Sequence, residues 1–198
     1  MPDTRAQLLA LLARKSFRLG KFTLSSGAVS DYYIDCRTTT LDAVGARLTG
    51  QTFLDEIRAR GWSVAAAGGL TLGADPIAVA IAVLSAGEIN AFLVRKAEKA
   101  HGTGQRIEGF REPGARVVIV EDVCTTGAST IQALEAAREV GFAVQGVICL
   151  VDREEAGGRA NVEKAASPAP FVSIFTANDL RAECLQQQQV SQSLSSRA

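Results

Sequence analysis

Two adjacent acidic residues followed by a turn of small hydroxyl residues form the segment of this chain best suited to chemistry. Glu121 and Asp122 come directly after the apolar stretch 117–120, and residues 123–129 read Val-Cys-Thr-Thr-Gly-Ala-Ser. Backbone N–H groups at the start of a helix, together with Thr and Ser hydroxyls, form a cradle for phosphate. Carboxylates would repel phosphate, but they can hold ribose hydroxyls or balance Mg²⁺ and a developing positive charge. The segment therefore predicts a ligand that carries both a sugar and a phosphate.

The same segment has a plainer interpretation, in which Asp122 is a solvated turn residue and Thr126 or Ser129 only caps a helix. It differs from two common phosphate motifs, because no Lys follows the glycine and no G-x-G-x-x-G pattern is present. Nothing beside Cys124 in the sequence marks it as a nucleophile. The residues assigned to the ligand are Glu121, Asp122, Val123, Cys124, Thr125, Thr126, Gly127, Ala128 and Ser129.

A second segment gathers cationic side chains. Arg95, Lys96, Lys99 and His101 lie within seven positions, and His101 is the one histidine of the chain. A charged run of this kind is usually a solvated loop. Clustered cations can also stabilise the negative charge that grows on a departing pyrophosphate.

Arg153 follows another apolar stretch and an aspartate, Asp152. Its guanidinium could recognise a planar carboxylate through two parallel hydrogen bonds. The alternative is a surface ion pair with Glu154 or Glu155, which would contribute little to stability. The aromatic pair at 32–33 could pack against a flat base or belong to the core.

The elements that must position these residues follow an alternating pattern. Strands are predicted at 63–67, 91–94, 116–120, 142–151 and 171–175. Helices are predicted at 4–14, 42–60, 75–87 and 129–140, with Asp75 as the N-cap of the third and Pro76 at its first position. Strands that alternate with helices predict a mostly parallel sheet flanked by helices. Ligands bind such sheets at the carboxyl ends of the strands.

Composition excludes several classes of function. The chain has 198 residues, with 21 basic and 21 acidic side chains and 6% aromatics, which favours one domain and no nucleic-acid partner. Four cysteines are far apart in the sequence and predict free thiols in a cytoplasmic protein. No apolar run approaches the length of a membrane span, so no membrane partner is expected.

The segment 117–130 resembles the phosphoribosyl pyrophosphate (PRPP) binding motif of type I phosphoribosyltransferases, in which two acidic residues and a Thr-Thr-Gly loop follow an apolar strand. Three further parts are similar to orotate phosphoribosyltransferases. Residues 22–27 and 30–35 resemble the substrate hood of that family. Residues 95–102 resemble its mobile catalytic loop, and residues 152–155 its orotate-binding turn.

The resemblance implies an α/β fold of the type I phosphoribosyltransferase kind in one domain, 1–185. A small N-terminal hood would occupy mainly 1–40, and the mobile loop about 96–113. The Gln- and Ser-rich tail 186–198 is predicted to be disordered. In this family the mobile loop reaches the neighbouring subunit's site, which implies a homodimer.

The resemblance also implies the roles of the residues. Mg²⁺ would be held mainly through PRPP, with no protein ligand assigned. Some relatives carry Lys at the position of Ser25 and Tyr-Lys at Thr71 and Leu72, so these three residues cannot supply the same charges. The implied catalytic residues are Lys99, His101 and Asp122, which also bind PRPP. Further implied contacts to PRPP come from Arg95, Lys96, Glu121 and the loop 123–129. The residues implied to bind orotate are Thr125, Arg153, Tyr32 and Tyr33.

Two alternatives remain open from the residues alone. One is a phosphoribosyltransferase with another acceptor, such as a purine, which would be expected to lack the Arg153 turn and the cationic loop. The other is a non-enzymatic regulator that senses PRPP, which would need a surface or domain for nucleic acid.

Overall fold

A six-stranded sheet and a separate two-stranded hairpin contain all the strands in the computed structural model, which describes residues 3–23, 29–97 and 106–195. In chain order the elements are α1 (Thr4–Lys15), β1 (Phe17–Thr23), β2 (Val29–Ile34), α2 (Arg37–Thr40), α3 (Ala43–Ala59), β3 (Ala66–Leu70), α4 (Asp75–Leu84), β4 (Asn90–Val94), β5 (Ile107–Gly109), β6 (Arg116–Cys124), α5 (Ala128–Glu139), β7 (Ala143–Asp152), α6 (Gly158–Ala166), β8 (Phe171–Thr176) and α7 (Ala177–Ser195). No helix in these ranges is both long and apolar enough to cross a lipid bilayer.

The strand order of the large sheet, β5-β4-β3-β6-β7-β8, creates a crevice between β3 and β6. The chain moves from β3 to β4 in one direction and from β6 through β7 to β8 in the other. All neighbours pair in parallel except β4 and β5. The mostly parallel sheet is therefore confirmed, and its point of reversal is where α/β proteins bind their ligands.

Strand β6 divides two hydrophobic cores because successive side chains of a strand point to opposite faces. Val118 and Val120 belong to one core, to which α1, α3, α4 and α7 contribute. Val117 and Ile119 belong to the other, to which α5 and α6 contribute. Burial on both faces explains the unbroken apolar run of this strand.

The structure corrects the predicted limits of two elements. Strand β6 runs on to Cys124, so Glu121 and Asp122 lie within its paired end and not after it. Helix α4 has Ala74 as its N-cap, which makes Asp75 the first helical residue and Pro76 the second. The carboxylate of Asp75 instead accepts a hydrogen bond from the Thr71 hydroxyl at 2.6 Å.

Helix α7 and three further elements are absent from the sequence prediction. Strand β5 lies inside the segment 96–113 that was expected to be a loop, and it pairs antiparallel with β4. The short helix α2 follows the hairpin, and helix α6 occupies the connection between β7 and β8.

The prediction of a disordered tail from residue 186 is wrong as far as Ser195, because α7 extends to that residue. Packing against α1 stabilises this part of the helix. The Gln187 amide donates to the carbonyl of Ala10 at 3.0 Å and to the Glu183 carboxylate at 2.7 Å. Tertiary contact of this kind overrides a polar composition.

Helix α7 gives a test of its docking. Leu180 on α7 is fully buried, whereas Val190 on the same helix is 53% exposed. Leu180→Ala should lower the free energy of unfolding by about 2–5 kcal/mol, since it opens a cavity in the core. Val190→Ala, the matched control, should change it by less than about 0.5 kcal/mol. Urea denaturation measures both, and equal effects would show that α7 does not dock as described.

Candidate active site

Glu121 lies beneath the surface at the end of β6 and is 3% exposed. One carboxylate oxygen, Oε1, accepts from the backbone N–H of Asp122 at 3.1 Å, and Oε2 accepts from the Thr130 hydroxyl at 3.0 Å. Burial raises the pKa of this carboxyl group well above its usual range, and the neighbouring charge of Asp122 raises it further. Glu121 therefore fixes the strand end to the start of α5.

Asp122 is the more accessible of the two acids and points towards the loop that follows β3. Its Oδ1 accepts from the backbone N–H of Val123 at 2.9 Å. A Cβ atom at Gly73 would lie 2.3 Å from the same oxygen, so only glycine permits this approach. The two loops at the β3–β6 crevice thus meet at the Asp122 carboxylate. The peptide bond between Thr71 and Leu72 in the first loop is cis.

A cavity of about 120 Å³ lies at the N-terminus of α5, where the sequence predicts a phosphate cradle. Gly127 is the N-cap, with φ of 81° in the left-handed region, and it offers no side chain to cap the helix. The first backbone N–H groups of a helix have no partner within the helix and form a site for anions. The cavity is lined by Glu121, Val123, Thr125, Thr126, Gly127, Ala128, Ser129 and Thr130.

Helix α6, which the sequence analysis missed, supports this cradle from behind. The Asn161 amide donates to the carbonyl oxygen of Thr126 at 3.0 Å. A Cβ atom at Gly158 would lie 2.3 Å from the carbonyl oxygen of Thr125, and one at Gly127 would lie 2.6 Å from Val162. The pair Gly157-Gly158 before a short amphipathic stretch was the available signal for such a close approach.

The predicted acceptor turn is joined directly to the cradle. The backbone N–H of Arg153 donates to the carbonyl of Cys124 at 3.0 Å. Asp152 is buried, and its carboxylate accepts from the Glu154 N–H at 2.9 Å and forms an ion pair with Arg159 at 2.9 Å. Arg159 therefore anchors the turn from α6, a role that the sequence did not suggest.

Arg153 forms the ion pair with Glu155 that was its alternative interpretation, but it does so from a buried position and not from the surface. Its side chain is 6% exposed and lies over the Tyr32 ring, with Cζ 4.6 Å from the ring centre. One terminal nitrogen, Nη2, is 3.2 Å from the Glu155 carboxylate and 3.3 Å from the Ser30 hydroxyl. Among the described residues its buried Nε–H has no hydrogen-bond partner, so a donor is left for a ligand.

The two tyrosines of β2 point to opposite faces of the hairpin. Tyr32 is buried, stacks on Phe17 with ring centres 5.4 Å apart, and donates its hydroxyl to Glu155 at 2.6 Å. Burial and that hydrogen bond raise the pKa of Tyr32 to about 12. Tyr33 packs against Phe22 on the exposed side. The structure thus brings Tyr32, but not Tyr33, to Arg153.

The cationic segment is only partly within the described ranges. The Arg95 side chain is 3.3 Å from the Glu108 carboxylate, and its backbone N–H donates to the carbonyl of Arg106. Lys96 is exposed. Lys99, His101 and Ser25 lie outside the described residues.

Cys124, which was predicted to bind PRPP, is buried in the hydrophobic core and is not among the residues that line the cavity. Burial raises the pKa of its thiol to about 12, and the carboxylates of Asp152 and Glu121 add to the shift. Because the thiolate is the nucleophilic form, this cysteine is unsuited to covalent chemistry.

Curated relatives and solved structures identify what this chain is similar to, whereas no family model matches it. An orotate phosphoribosyltransferase from Thermosynechococcus vestitus is 47% identical over 186 residues, which covers 92% of this chain and 95% of that protein. A Mycobacterium tuberculosis orotate phosphoribosyltransferase solved with Fe(III) dicitrate superposes with a TM-score of 0.79 at 41% identity, covering 90% of this chain and 99% of that one. Its complex with PRPP superposes with a TM-score of 0.73 at 37% identity, with the same coverage.

Glu121 gives a test of the buried acid. Its pKa is raised in the folded protein, so ionisation favours the unfolded chain as pH rises above about 4.3, the ordinary value for Glu. Glu121→Gln removes this cost, and the variant should gain stability relative to the natural chain as pH rises above that ordinary value. The gain should reach up to about 1.4 kcal/mol per pH unit.

Urea denaturation of both proteins at several pH values measures this difference. The value at the lowest pH is the internal control, because there the acid is neutral in the natural fold and largely protonated in the unfolded chain. A stability difference that does not change with pH would contradict the raised pKa of Glu121.

Proposed function

The chain belongs to the orotate phosphoribosyltransferase family, and from this premise we propose how its residues carry out the reaction. The enzyme transfers the phosphoribosyl group of PRPP to N1 of orotate, giving orotidine 5′-monophosphate and pyrophosphate in de novo pyrimidine biosynthesis. Family membership removes the two alternatives that the residues left open, a purine acceptor and a non-enzymatic regulator.

PRPP binds at the crevice between β3 and β6, with its 5′-phosphate in the cavity at the start of α5. The N-terminal N–H groups of the helix and the hydroxyls of Thr125, Thr126 and Ser129 supply donors there. Support comes from the relative that was solved with PRPP. The loop at 71–74 lies across the crevice and offers backbone groups to the pyrophosphate.

We assign partly different roles to the two adjacent acidic residues, Glu121 and Asp122. Asp122 lies at the mouth of the crevice, holds the ribose hydroxyls and favours positive charge on the ring as the bond to pyrophosphate breaks. Glu121 also lines the cavity and holds the ribose hydroxyls with Asp122, while its hydrogen bonds to Thr130 and to the Asp122 backbone orient the strand end.

Mg²⁺ fits this site as an ion held by the substrate. The part of the chain that the structure describes contains no group of three or more His, Cys, Asp or Glu side chains that could hold a metal ion. Mg²⁺ commonly binds through one or two carboxylates together with substrate phosphates. When bound, it neutralises charge on the pyrophosphate, and Asp122 is the carboxylate placed to assist.

Orotate binds between the acceptor turn and the cradle. The buried Arg153 guanidinium, with its free Nε–H, recognises the carboxylate of orotate. The Tyr32 hydroxyl lies beside it, and Thr125 borders the phosphate side. One observation carries this placement: the hydrogen bond from the Arg153 N–H to the Cys124 carbonyl joins the acceptor turn to the phosphate loop.

The departing pyrophosphate is stabilised by the cations of the segment 95–101, in which Lys99 and His101 act on the leaving group. Closure of this segment over the crevice would keep water from the oxocarbenium-like ribose. N1 of orotate then attacks C1′ from the face opposite to the leaving group. Spectrophotometric loss of orotate in the presence of PRPP and Mg²⁺ tests the reaction as a whole.

A homodimer is proposed for the working enzyme, with the segment 95–101 of one subunit serving the neighbouring site. An apolar groove of about 1010 Å³ between α3 and α4 supports an interface between copies. Leu41, Leu72 and Val83 line it and are each at least 65% exposed, although such residues usually avoid water. The four free cysteines support a cytoplasmic location.

Arg153→Lys tests the acceptor site, because lysine keeps the charge but loses the planar pair of donors. The KM for orotate should rise by a factor that corresponds to about 1.5–3 kcal/mol. The KM for PRPP should change little and serves as the control within the same assay. An unchanged orotate KM would leave Arg153 as a purely structural residue.

Subunit mixing tests the shared site. Lys99→Ala should lower kcat more than it weakens substrate binding, since its charge acts mainly on the leaving group. If the loop works across the dimer, Lys99→Ala and Asp122→Asn homodimers that exchange subunits form hybrids with one intact site. About half of the dimers become hybrid, so about a quarter of all sites should recover activity.

Mass spectrometry of the mixture confirms that subunits have exchanged. Recovery near a quarter supports a site shared between chains. Confirmed exchange without recovered activity would mean that Lys99 serves its own chain or no site.

A further inference from the structure

The acceptor turn already holds a carboxylate between two donors, and that carboxylate belongs to Glu155. The Tyr32 hydroxyl donates to its Oε1 at 2.6 Å, and Arg153 Nη2 lies 3.2 Å from its Oε2. Two donors that converge on the two oxygens of one carboxylate form a carboxylate receptor. In this structure the receptor is filled by the chain itself.

The donors and the carboxylate differ in their exposure to solvent. The side chain of Arg153 is 6% exposed, whereas that of Glu155 is 46% exposed. A buried guanidinium without a partner is costly, so Glu155 compensates Arg153 from the solvent side. Its accessible side chain can leave this position without any change in the core.

The local backbone presents Glu155 to the receptor. Glu154 and Ala156 on either side have φ of 58° and 54°, a left-handed conformation that is uncommon for residues other than glycine. Glu154 itself turns away and accepts from the Asn178 amide at 3.0 Å. The turn therefore directs one of its two adjacent glutamates to Arg153 and the other to α7.

Within residues 3–23, 29–97 and 106–195, Arg153 is the cation with which Glu155 forms an ion pair. Arg181 on α7 also lies over the Tyr32 ring, at 5.2 Å, but both of its terminal nitrogens bind the Asp31 carboxylate at 2.8 and 2.9 Å. Arg153 is therefore the cation for which Glu155 and the carboxylate of an incoming acceptor would compete.

We propose that the Glu155 carboxylate occupies the place that the carboxylate of the acceptor takes when the acceptor binds, and we call Glu155 the stand-in. Glu155 keeps the acceptor from Arg153 and Tyr32 until the acceptor displaces it. This inference rests on the proposed role of Arg153 in binding orotate. An acceptor with a carboxylate replaces the contacts that Glu155 gives up, whereas a neutral pyrimidine leaves Arg153 without compensation. Glu155 thus makes a carboxylate a condition for entry and sets the affinity for orotate.

Steady-state kinetics with Glu155→Gln tests the proposal. Glutamine has the same shape but no charge, so it competes less well for Arg153 and does not repel the orotate carboxylate. The KM for orotate should fall by about three- to tenfold. The kcat and the KM for PRPP should remain close to their natural values, which also shows that the variant is folded.

Glu154→Gln is the matched control, because it changes the adjacent glutamate of the same turn, which does not contact Arg153. Its orotate KM should stay within about twofold of the natural value. A rise in the orotate KM of Glu155→Gln, or no change, would overturn the proposal, since a glutamate that only orients Arg153 would give that result.

Arg153→Lys in the same assays separates this inference from the function on which it rests. If Arg153→Lys raises the orotate KM but Glu155→Gln does not lower it, the proposal for Glu155 is refuted and the proposed role of Arg153 is retained. An orotate KM that neither variant changes would refute the carboxylate-binding role of Arg153, and the stand-in with it.

Discussion

The parallel pairing of β6 with β7 is the constraint on which the rest of the site depends. Its register runs to the last residues of both strands and sets Cys124 opposite Asp152. The acidic pair and the cavity at the start of α5 are thereby fixed beside the turn that contains Arg153. The two halves of the proposed site therefore lie at adjacent strand ends. Their separation is set by backbone hydrogen bonds and not by flexible side chains.

Helix α6 converts this pairing into a rigid site. Asn161 holds the carbonyl of Thr126 in the cradle, and Arg159 holds the Asp152 carboxylate in the turn. One short helix thus contacts both halves of the site, and its glycine start permits the close approach. Such support matters because groups that bind a reacting ligand act best when they are preorganised.

The ionisation and pairing of the charged groups in the site depend on burial as well as on residue type. Glu121 and Asp122 are adjacent in sequence, yet only Glu121 is enclosed, and its burial raises the pKa of its carboxyl group. On the acceptor side, the buried guanidinium of Arg153 is compensated by Glu155 at the surface. Each half of the site thereby avoids an isolated buried charge, which would be costly.

The sequence by itself determined the alternating α/β order, the phosphate cradle after β6 and the place of Arg153 after β7. These features depend on local patterns, namely apolar runs, glycines and hydroxyl residues, that a single chain segment contains. Only the tertiary structure decided that Tyr32 and not Tyr33 meets Arg153, because the pairing of β1 with β2 sets which face is buried. It also decided the roles of Asn161, Arg159 and Glu155 and the helical state of residues 186–195, because these depend on contacts between segments far apart in the sequence.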